Sequence, residues 1–190
     1  MITSAFNKYG EYKEVFPFIS PECIAFNNEA LNKADKPKYI FGKEVPADLK
    51  LITFGQYSDL CDVFSGEQGF DTIEEVARIL FEATDEEIAE ASVFDLWGLA
   101  NFAAKEIGSI NKLFSEIKMD YTPEEKRAGI DRLQFGTFGI LDWYARRMGI
   151  HDQNEVNKEK WVRIYQCMKN DMEEALFQRR LQKEYEPKKK

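Results

Sequence analysis

The sequence predicts a mainly α-helical protein: a helical bundle preceded by an irregular, proline-broken arm with room for a short β-hairpin. Three observations lead to this prediction. Apolar residues recur at helical spacing from residue 53 nearly to the end of the chain. Helix-start signals, in which Ser, Thr or Asp is followed three residues later by an acidic or amide side chain, repeat along the same region. Four of the six prolines precede residue 49, where they disfavour long regular elements.

The predicted arm covers residues 1–48. Within it, the stretch KYIFGKEVP places the β-favouring residues Tyr39, Ile40 and Phe41 directly before Gly42 and Lys43. This order predicts a small hairpin, with strands too short to be stable on their own.

The predicted helical domain covers residues 49–185, and a basic tail follows at 186–190. Its first helix begins after Thr53, where Gln56 completes a capping box. Gly55 either permits close packing at this junction or simply occupies the first helical turn. Asp71 is predicted to cap the next helix, and Thr84 with Glu87 to cap the one after it.

The second half of the chain carries similar signals. The segment VFDLWGLANFAAKEIGSINKLFSEI predicts a long helix, and Thr122, Pro123 and Glu125 mark a later helix start. Gly149 is placed to end the helix that contains LDWYARRM. The last helix, 158–185, carries a coiled-coil-like seam of Trp161, Tyr165, Met168 and Met172.

Composition limits the classes of function. The formal charge of −8 repels nucleic acid and anionic membranes, so direct nucleic-acid binding is not expected. The three cysteines lie far apart, which fits a reducing compartment and indicates neither disulfides nor a thiolate metal site. No run approaches the ~20 apolar residues of a membrane-spanning helix. The sequence therefore predicts a cytosolic protein with no membrane partner.

Motifs for catalysis are not found in the sequence. It has no phosphate-binding GxxxxGK[ST] or GxGxxG loop, and its single histidine, His151, lies in a loop without a nucleophile motif. One histidine cannot supply a di-iron bundle, and zinc ligand spacing is not found. We therefore predict no catalytic residue, no cofactor and no metal, and we expect that the protein is not an enzyme.

Two stretches of the chain resemble a known class of proteins. GKEVPADLKLITFGQYSDL and LDWYARRMGIHDQNEVNKEKWVRIYQCMKNDMEEALFQRRLQKEYE, within residues 42–66 and 133–186, are similar in layout to small helical proteins of the structural-gene clusters of tailed bacteriophages. The similarity is to tail assembly chaperone-like or neck proteins of phages of gut Bacteroidetes. It implies a non-enzymatic morphogenesis protein that forms homo-oligomers or binds other phage structural proteins, in the virion or the host cytoplasm.

Two other classes remain open: a cytosolic bacterial helical adaptor or regulatory protein, and an enzyme that uses carboxylates or His151. For the interaction hypothesis, aromatic and methionine side chains are the candidate partner contacts, because such residues are favoured at protein interfaces. The candidates in the arm and on the last helix are Phe16, Phe18, Tyr39, Phe41, Trp161, Tyr165, Met168 and Met172. All of them could instead belong to an internal core.

Overall fold

Residues 7–67, 69–118, 121–133 and 135–185 are described by the structure, a computed structural model. The described residues form nine α-helices and one two-stranded sheet, so the predicted mainly α-helical fold with a short hairpin is confirmed. The helices are α1 (Tyr9–Val15), α2 (Pro21–Leu31), α3 (Phe54–Ser65), α4 (Phe70–Phe81), α5 (Asp85–Glu90), α6 (Val93–Glu116), α7 (Pro123–Arg127), α8 (Gly136–Met148) and α9 (Trp161–Tyr185). Short 3₁₀ helices cover Phe16–Phe18, Ile130–Arg132 and Gln153–Lys158.

The hairpin joins β1 (Tyr39–Ile40) and β2 (Lys43–Glu44) in antiparallel register, with Tyr39 opposite Glu44. Phe41 and Gly42 form the turn, and both have positive φ, 51° and 69°. A two-residue turn with positive φ at both positions matches the twist of the strands. Phe41 is therefore a turn residue and not the third strand residue that the sequence predicted.

Residues 7–31 differ most from the predicted irregular arm. Pro21 occupies the first turn of α2, where its missing N–H costs no hydrogen bond, and Ser20 Oγ accepts a hydrogen bond from the Cys23 N–H. Proline therefore starts this helix and does not break it. Tyr9, Tyr12 and Leu31 are each at most 1% exposed, so this region contributes side chains to a hydrophobic core.

The chain divides into two compact units. Unit 1 comprises Met1–Ile52 with Gln56–Ser109, and unit 2 comprises Thr53–Gly55 with Ile110–Lys190. The predicted boundary after residue 48 does not coincide with this division, because the arm groups with α4, α5 and most of α6. The predicted basic tail, 186–190, lies outside the described residues.

In unit 1, α1 is attached to the chain around the start of α6. The N–H of Tyr9 donates to the carbonyl of Ala91 at 2.8 Å, and the N–H of Val93 donates to the carbonyl of Asn7 at 3.1 Å. Gly98 of α6 lies directly against the backbone of Asp35, where any Cβ would overlap the Asp35 carbonyl oxygen. These contacts fix two separate stretches of chain, residues 7–9 and residue 35, against the start of α6.

Two of the predicted capping boxes are confirmed. Glu87 and Thr84 exchange hydrogen bonds of 3.2 and 2.9 Å at the start of α5, and Glu125 and Thr122 do the same at α7 with 3.2 and 2.8 Å. The predicted Asp71 cap is wrong, because α4 begins two residues earlier than such a cap requires. There the Gly69 N–H donates to Thr72 Oγ1 at 3.2 Å.

Unit 2 has its own core, which includes Tyr144, Val156, Trp161 and Ile164, each at most 4% exposed. Phe54, from the short stretch Thr53–Gly55, is 1% exposed, and its N–H donates to the Glu159 carbonyl at 2.7 Å. A Cβ on Gly55 would lie 3.1 Å from the Asn157 carbonyl oxygen, which favours the close-packing interpretation of this glycine.

The α8 and α9 helices of unit 2 are joined by an ion pair. Arg147 donates to both carboxylate oxygens of Asp171, at 2.8 and 3.2 Å, in the bidentate geometry that guanidinium favours. At the end of α8, Gly149 adopts φ 68°, so the predicted glycine stop is confirmed.

Candidate binding cleft and exposed aromatic surface

Unit 1 contains a cleft of about 540 Å³, here called the aromatic cleft. The rings of Phe16, Phe64, Phe70 and Trp97 line it, together with the small side chains Ala100 and Ala104 of α6. Its size lies within the range of roughly 300–1,000 Å³ that is typical of small-molecule sites.

The aromatic wall of this cleft is a packed cluster. The Phe16 and Phe70 centroids are 4.9 Å apart, and the Phe70 and Trp97 centroids are 5.8 Å apart, both in T-shaped geometry. Tyr12 lies behind these rings, 6.1 Å from Trp97 and 6.2 Å from Phe70. An edge-to-face aromatic pair contributes free energy in addition to that gained by burying its apolar surface. The wall is therefore held in place without a ligand.

Side-chain amides form the polar edge of the cleft. Asn101 Nδ2 lies 3.0 Å from the Leu31 carbonyl and 3.3 Å from the Ala34 carbonyl, and it thereby satisfies carbonyl groups at the end of α2. Asn28 and Asn32, one turn apart on or directly after α2, also line the cleft. In the described part of the chain, their side-chain amides make no hydrogen bond.

Two buried polar groups near the aromatic wall lie beside each other without a hydrogen bond of ordinary geometry. Tyr12 Oη and Asn27 Nδ2 have no partner at ordinary hydrogen-bond geometry within the described residues, although each residue is only 1% exposed. Burial raises the pKa of Tyr12, and the hydrogen-bonding effect of the neighbouring Asn27 side chain partly opposes this rise. Such groups cost free energy in a folded protein, because they lose water without gaining a protein partner.

On the same face of α1 as Tyr12, one turn earlier, the Tyr9 hydroxyl is hydrogen-bonded. Its hydroxyl donates to Glu74 Oε1 at 3.0 Å, and Lys13 and Arg78 also pair with the Glu74 carboxylate. Burial acts to raise the pKa of Glu74, but the hydrogen bonds from Lys13 and Tyr9 and the Lys13 charge outweigh it and lower this pKa. Burial, followed by the charge of Glu74, raises the pKa of Tyr9, which keeps the hydroxyl protonated as a donor. This network attaches α1 to α4.

The predicted partner-contacting residues of the arm separate into two groups. Phe18 and Tyr39 are 87% and 57% exposed, so their rings are free to meet a partner. Phe16 instead forms part of the cleft wall, and the Phe41 ring packs against Phe81 with centroids 6.0 Å apart.

The predicted seam on α9 is mainly internal to unit 2 at its start. Trp161 is 4% exposed, and the Phe114 ring lies 6.1 Å from Trp161 and 5.5 Å from Tyr165. Met168 and Met172 are half-buried. The helical period identified the face correctly, but the first two side chains of that face contact α6 residues of the same unit and not a surface open to a partner.

The strongest exposed apolar cluster was not singled out from the sequence. Leu133, Phe135 and Phe138, at the start of α8, are 59%, 67% and 63% exposed, and we call them the α8 aromatic surface. The Phe135 side chain packs over Gly139, where a Cβ would come within 2.5 Å of the Phe135 Cβ. The stretch LQFGTFG was the available signal, because small residues on either side of Phe138 leave no bulky neighbours to cover the rings.

No family model, curated protein or solved structure matches the chain. Within the described ranges, no group of three or more His, Cys, Asp or Glu side chains is arranged to hold a metal ion. His151 is exposed beside the 3₁₀ helix Gln153–Lys158, as predicted for a loop histidine. Among the helices of the described residues, none combines the length and apolar character needed to cross a bilayer.

Proposed function

We propose that the protein is a non-enzymatic bacteriophage morphogenesis protein, either a head–tail neck or tail virion component or a tail assembly factor, and that it works by contacts between copies of the chain. The phage setting rests on the resemblance within residues 42–66 and 133–186. The contact function rests on one observation, the α8 aromatic surface with three large apolar side chains each more than half exposed within six residues.

The exposed area supports a contact of useful strength. At exposures of 67% and 63%, the Phe135 and Phe138 rings together leave roughly 250 Å² in water. Full burial of that area contributes about 6 kcal/mol, from which the entropic cost of association is subtracted. Clustered aromatic residues at a surface are typical of interface hot spots, whereas single exposed apolar residues are not.

The test is the molar mass of the full chain in solution, measured by light scattering from about 1 to 100 µM. We expect a mass above that of one chain that rises with concentration. The double variant Phe135→Ser and Phe138→Ser is expected to shift this rise to at least tenfold higher concentration. Leu51→Ser is the matched control, because Leu51 is 71% exposed and has no other exposed large apolar residue within ten positions along the chain, and it should leave the curve unchanged.

A wild-type chain that stays monomeric over the whole range would overturn contact between copies and would favour the adaptor hypothesis. An equal effect of both variants would show that the α8 aromatic surface has no special role. Deletion of residues 1–48 is not a suitable test of contact through this segment, because the deletion would remove Tyr9, Tyr12 and Leu31 from the core of unit 1.

A further inference from the structure

The aromatic cleft is uncharged along its described lining. Its twelve described lining residues include no Asp, Glu, Lys or Arg, although charged residues make up 32% of the chain. A random set of that size would contain about four charged side chains. Because an uncompensated charge in apolar surroundings costs several kcal/mol, this lining favours an uncharged ligand.

The shape of the cleft favours a ring. Phe16, Phe70 and Trp97 present faces and edges that are already fixed by their mutual contacts at 4.9 and 5.8 Å. A flat ligand adds further edge-to-face or offset-stacked pairs to this cluster with little reorganisation of the protein.

The polar edge of the cleft favours a ligand with a hydrogen-bonding group. Asn28 and Asn32 are exposed, lie four positions apart and keep both amide donors and acceptors unused within the described part of the chain. A side-chain amide pairs well with another amide or a carbonyl, because it supplies one donor and one acceptor in the same plane.

We propose that the aromatic cleft binds a small, uncharged molecule that has an aromatic ring and an amide or carbonyl group. The ring packs against the wall formed by Phe16, Phe70 and Trp97, and the polar group bonds to Asn28 and Asn32. The cleft volume of about 540 Å³ suits one such molecule, and an apolar wall with a few convergent polar groups is typical of small-molecule sites. This inference goes beyond the proposed function and does not depend on it.

The first test uses the uncharged fluorescent probe N-phenyl-1-naphthylamine with the full chain. We expect saturable binding of one probe per chain, with an increase in probe fluorescence. Ala104→Trp fills the cleft from an exposed position of α6, so it should weaken binding at least tenfold without unfolding unit 1. Ser109→Trp, at another exposed position of α6 outside the cleft lining, should bind like the wild type.

The second test addresses the polar edge. Benzamide should displace the probe from the wild type. In the double variant Asn28→Leu and Asn32→Leu, the ratio of the benzamide dissociation constant to the probe dissociation constant should rise about tenfold over the wild type, because one hydrogen bond of about 1.4 kcal/mol to benzamide is lost.

Three results would overturn the proposal. They are the lack of saturable probe binding, equal binding by Ala104→Trp and Ser109→Trp, and loss of binding in the variant of Phe135 and Phe138, which would place the probe on the α8 aromatic surface. A chain that binds no probe but loses self-association in Ala104→Trp would show that the cleft is a protein contact. In that case the ligand proposal fails while the proposed function stands.

Discussion

Tyr9 and Tyr12 provide a matched pair for measuring what a buried hydroxyl contributes. Both residues are 1% exposed and lie three positions apart on α1. The Tyr9 hydroxyl donates to Glu74 at 3.0 Å, whereas the Tyr12 hydroxyl makes no hydrogen bond of ordinary geometry within the described residues and has only the Asn27 side chain beside it. Replacing either tyrosine by phenylalanine removes a single oxygen atom, so any difference between the two variants reports the hydrogen bond.

The expected changes in the free energy of unfolding have opposite signs. A hydrogen bond to a charged group contributes about 1.5–3 kcal/mol, and Glu74 keeps Lys13 and Arg78 when Tyr9 loses its hydroxyl. We therefore expect Tyr9→Phe to destabilise by about 1.5 kcal/mol. Tyr12→Phe removes a polar group that lost water on folding, so it should be neutral or stabilise by up to about 1 kcal/mol.

The assay is urea unfolding at pH 7, followed by far-UV circular dichroism. With a denaturant slope of about 2 kcal/mol per M, a difference of about 2 kcal/mol separates the two midpoints by about 1 M urea. Tyr39→Phe is the control, because Tyr39 is 57% exposed and should change the free energy by less than about 0.5 kcal/mol. Hydrogen exchange of the α1 amides would show whether the loss in Tyr9→Phe is local.

Two outcomes would refute this reasoning. If Tyr12→Phe destabilises as much as Tyr9→Phe, the Tyr12 hydroxyl has a bonding partner, such as the Asn27 amide or an ordered water molecule. If Tyr9→Phe matches the wild type, its bond to Glu74 contributes nothing and Lys13 with Arg78 suffices to hold the carboxylate.

Two further predictions concern Glu74 and the glycines of α6. Because the folded-state pKa of Glu74 lies below its ordinary value of 4.5, its contribution to stability is present above that pH and is lost as the pH falls through the folded-state pKa. Glu74→Gln should therefore have a lower free energy of unfolding than the wild type at pH 7, and this free energy should fall less than that of the wild type between pH 7 and pH 3.5. Glu29→Gln, in an exposed ion pair, is the control and should behave like the wild type at both pH values. Gly98→Ala should destabilise by at least about 2 kcal/mol, because the new Cβ overlaps the backbone of Asp35, whereas Gly108→Ala on the same helix meets open space and should stabilise by about 0.5–1 kcal/mol. Thermal unfolding of both glycine variants checks this, and equal shifts would contradict the overlap argument.

Local signals were readable from the sequence wherever the interacting groups are close along the chain. The boxes at Thr84 and Thr122 and the stop at Gly149 need only three or four neighbouring residues, so their sequence signature is sufficient. Asp71 was misassigned because the N-cap is Gly69, which has no side chain to signal it; the Gly69 N–H donates to Thr72 at the third helical position.

Features that depend on residues far apart along the chain could not be predicted from the sequence. The burial of Tyr9 and Tyr12 depends on Trp97, 85 or more positions later, and no local pattern reports that distance. Periodicity identified the face of α9 that begins with Trp161 but not what covers it, since an internal seam and a partner-facing seam have the same spacing.

The attachment of α1 to Ala91 and Val93 also determines the order in which unit 1 can form during synthesis. When a ribosome has released only the first 60 residues, α1 has no surface on which to pack, because its hydrogen-bond partners have not yet been made. Closing the loop between Tyr9 and Ala91 also carries an entropic cost of about 4 kcal/mol. Until α6 emerges, Tyr9 and Tyr12 therefore lack the Trp97 ring that packs against them in the folded chain, so the packing of α1 is one of the last steps in the formation of unit 1.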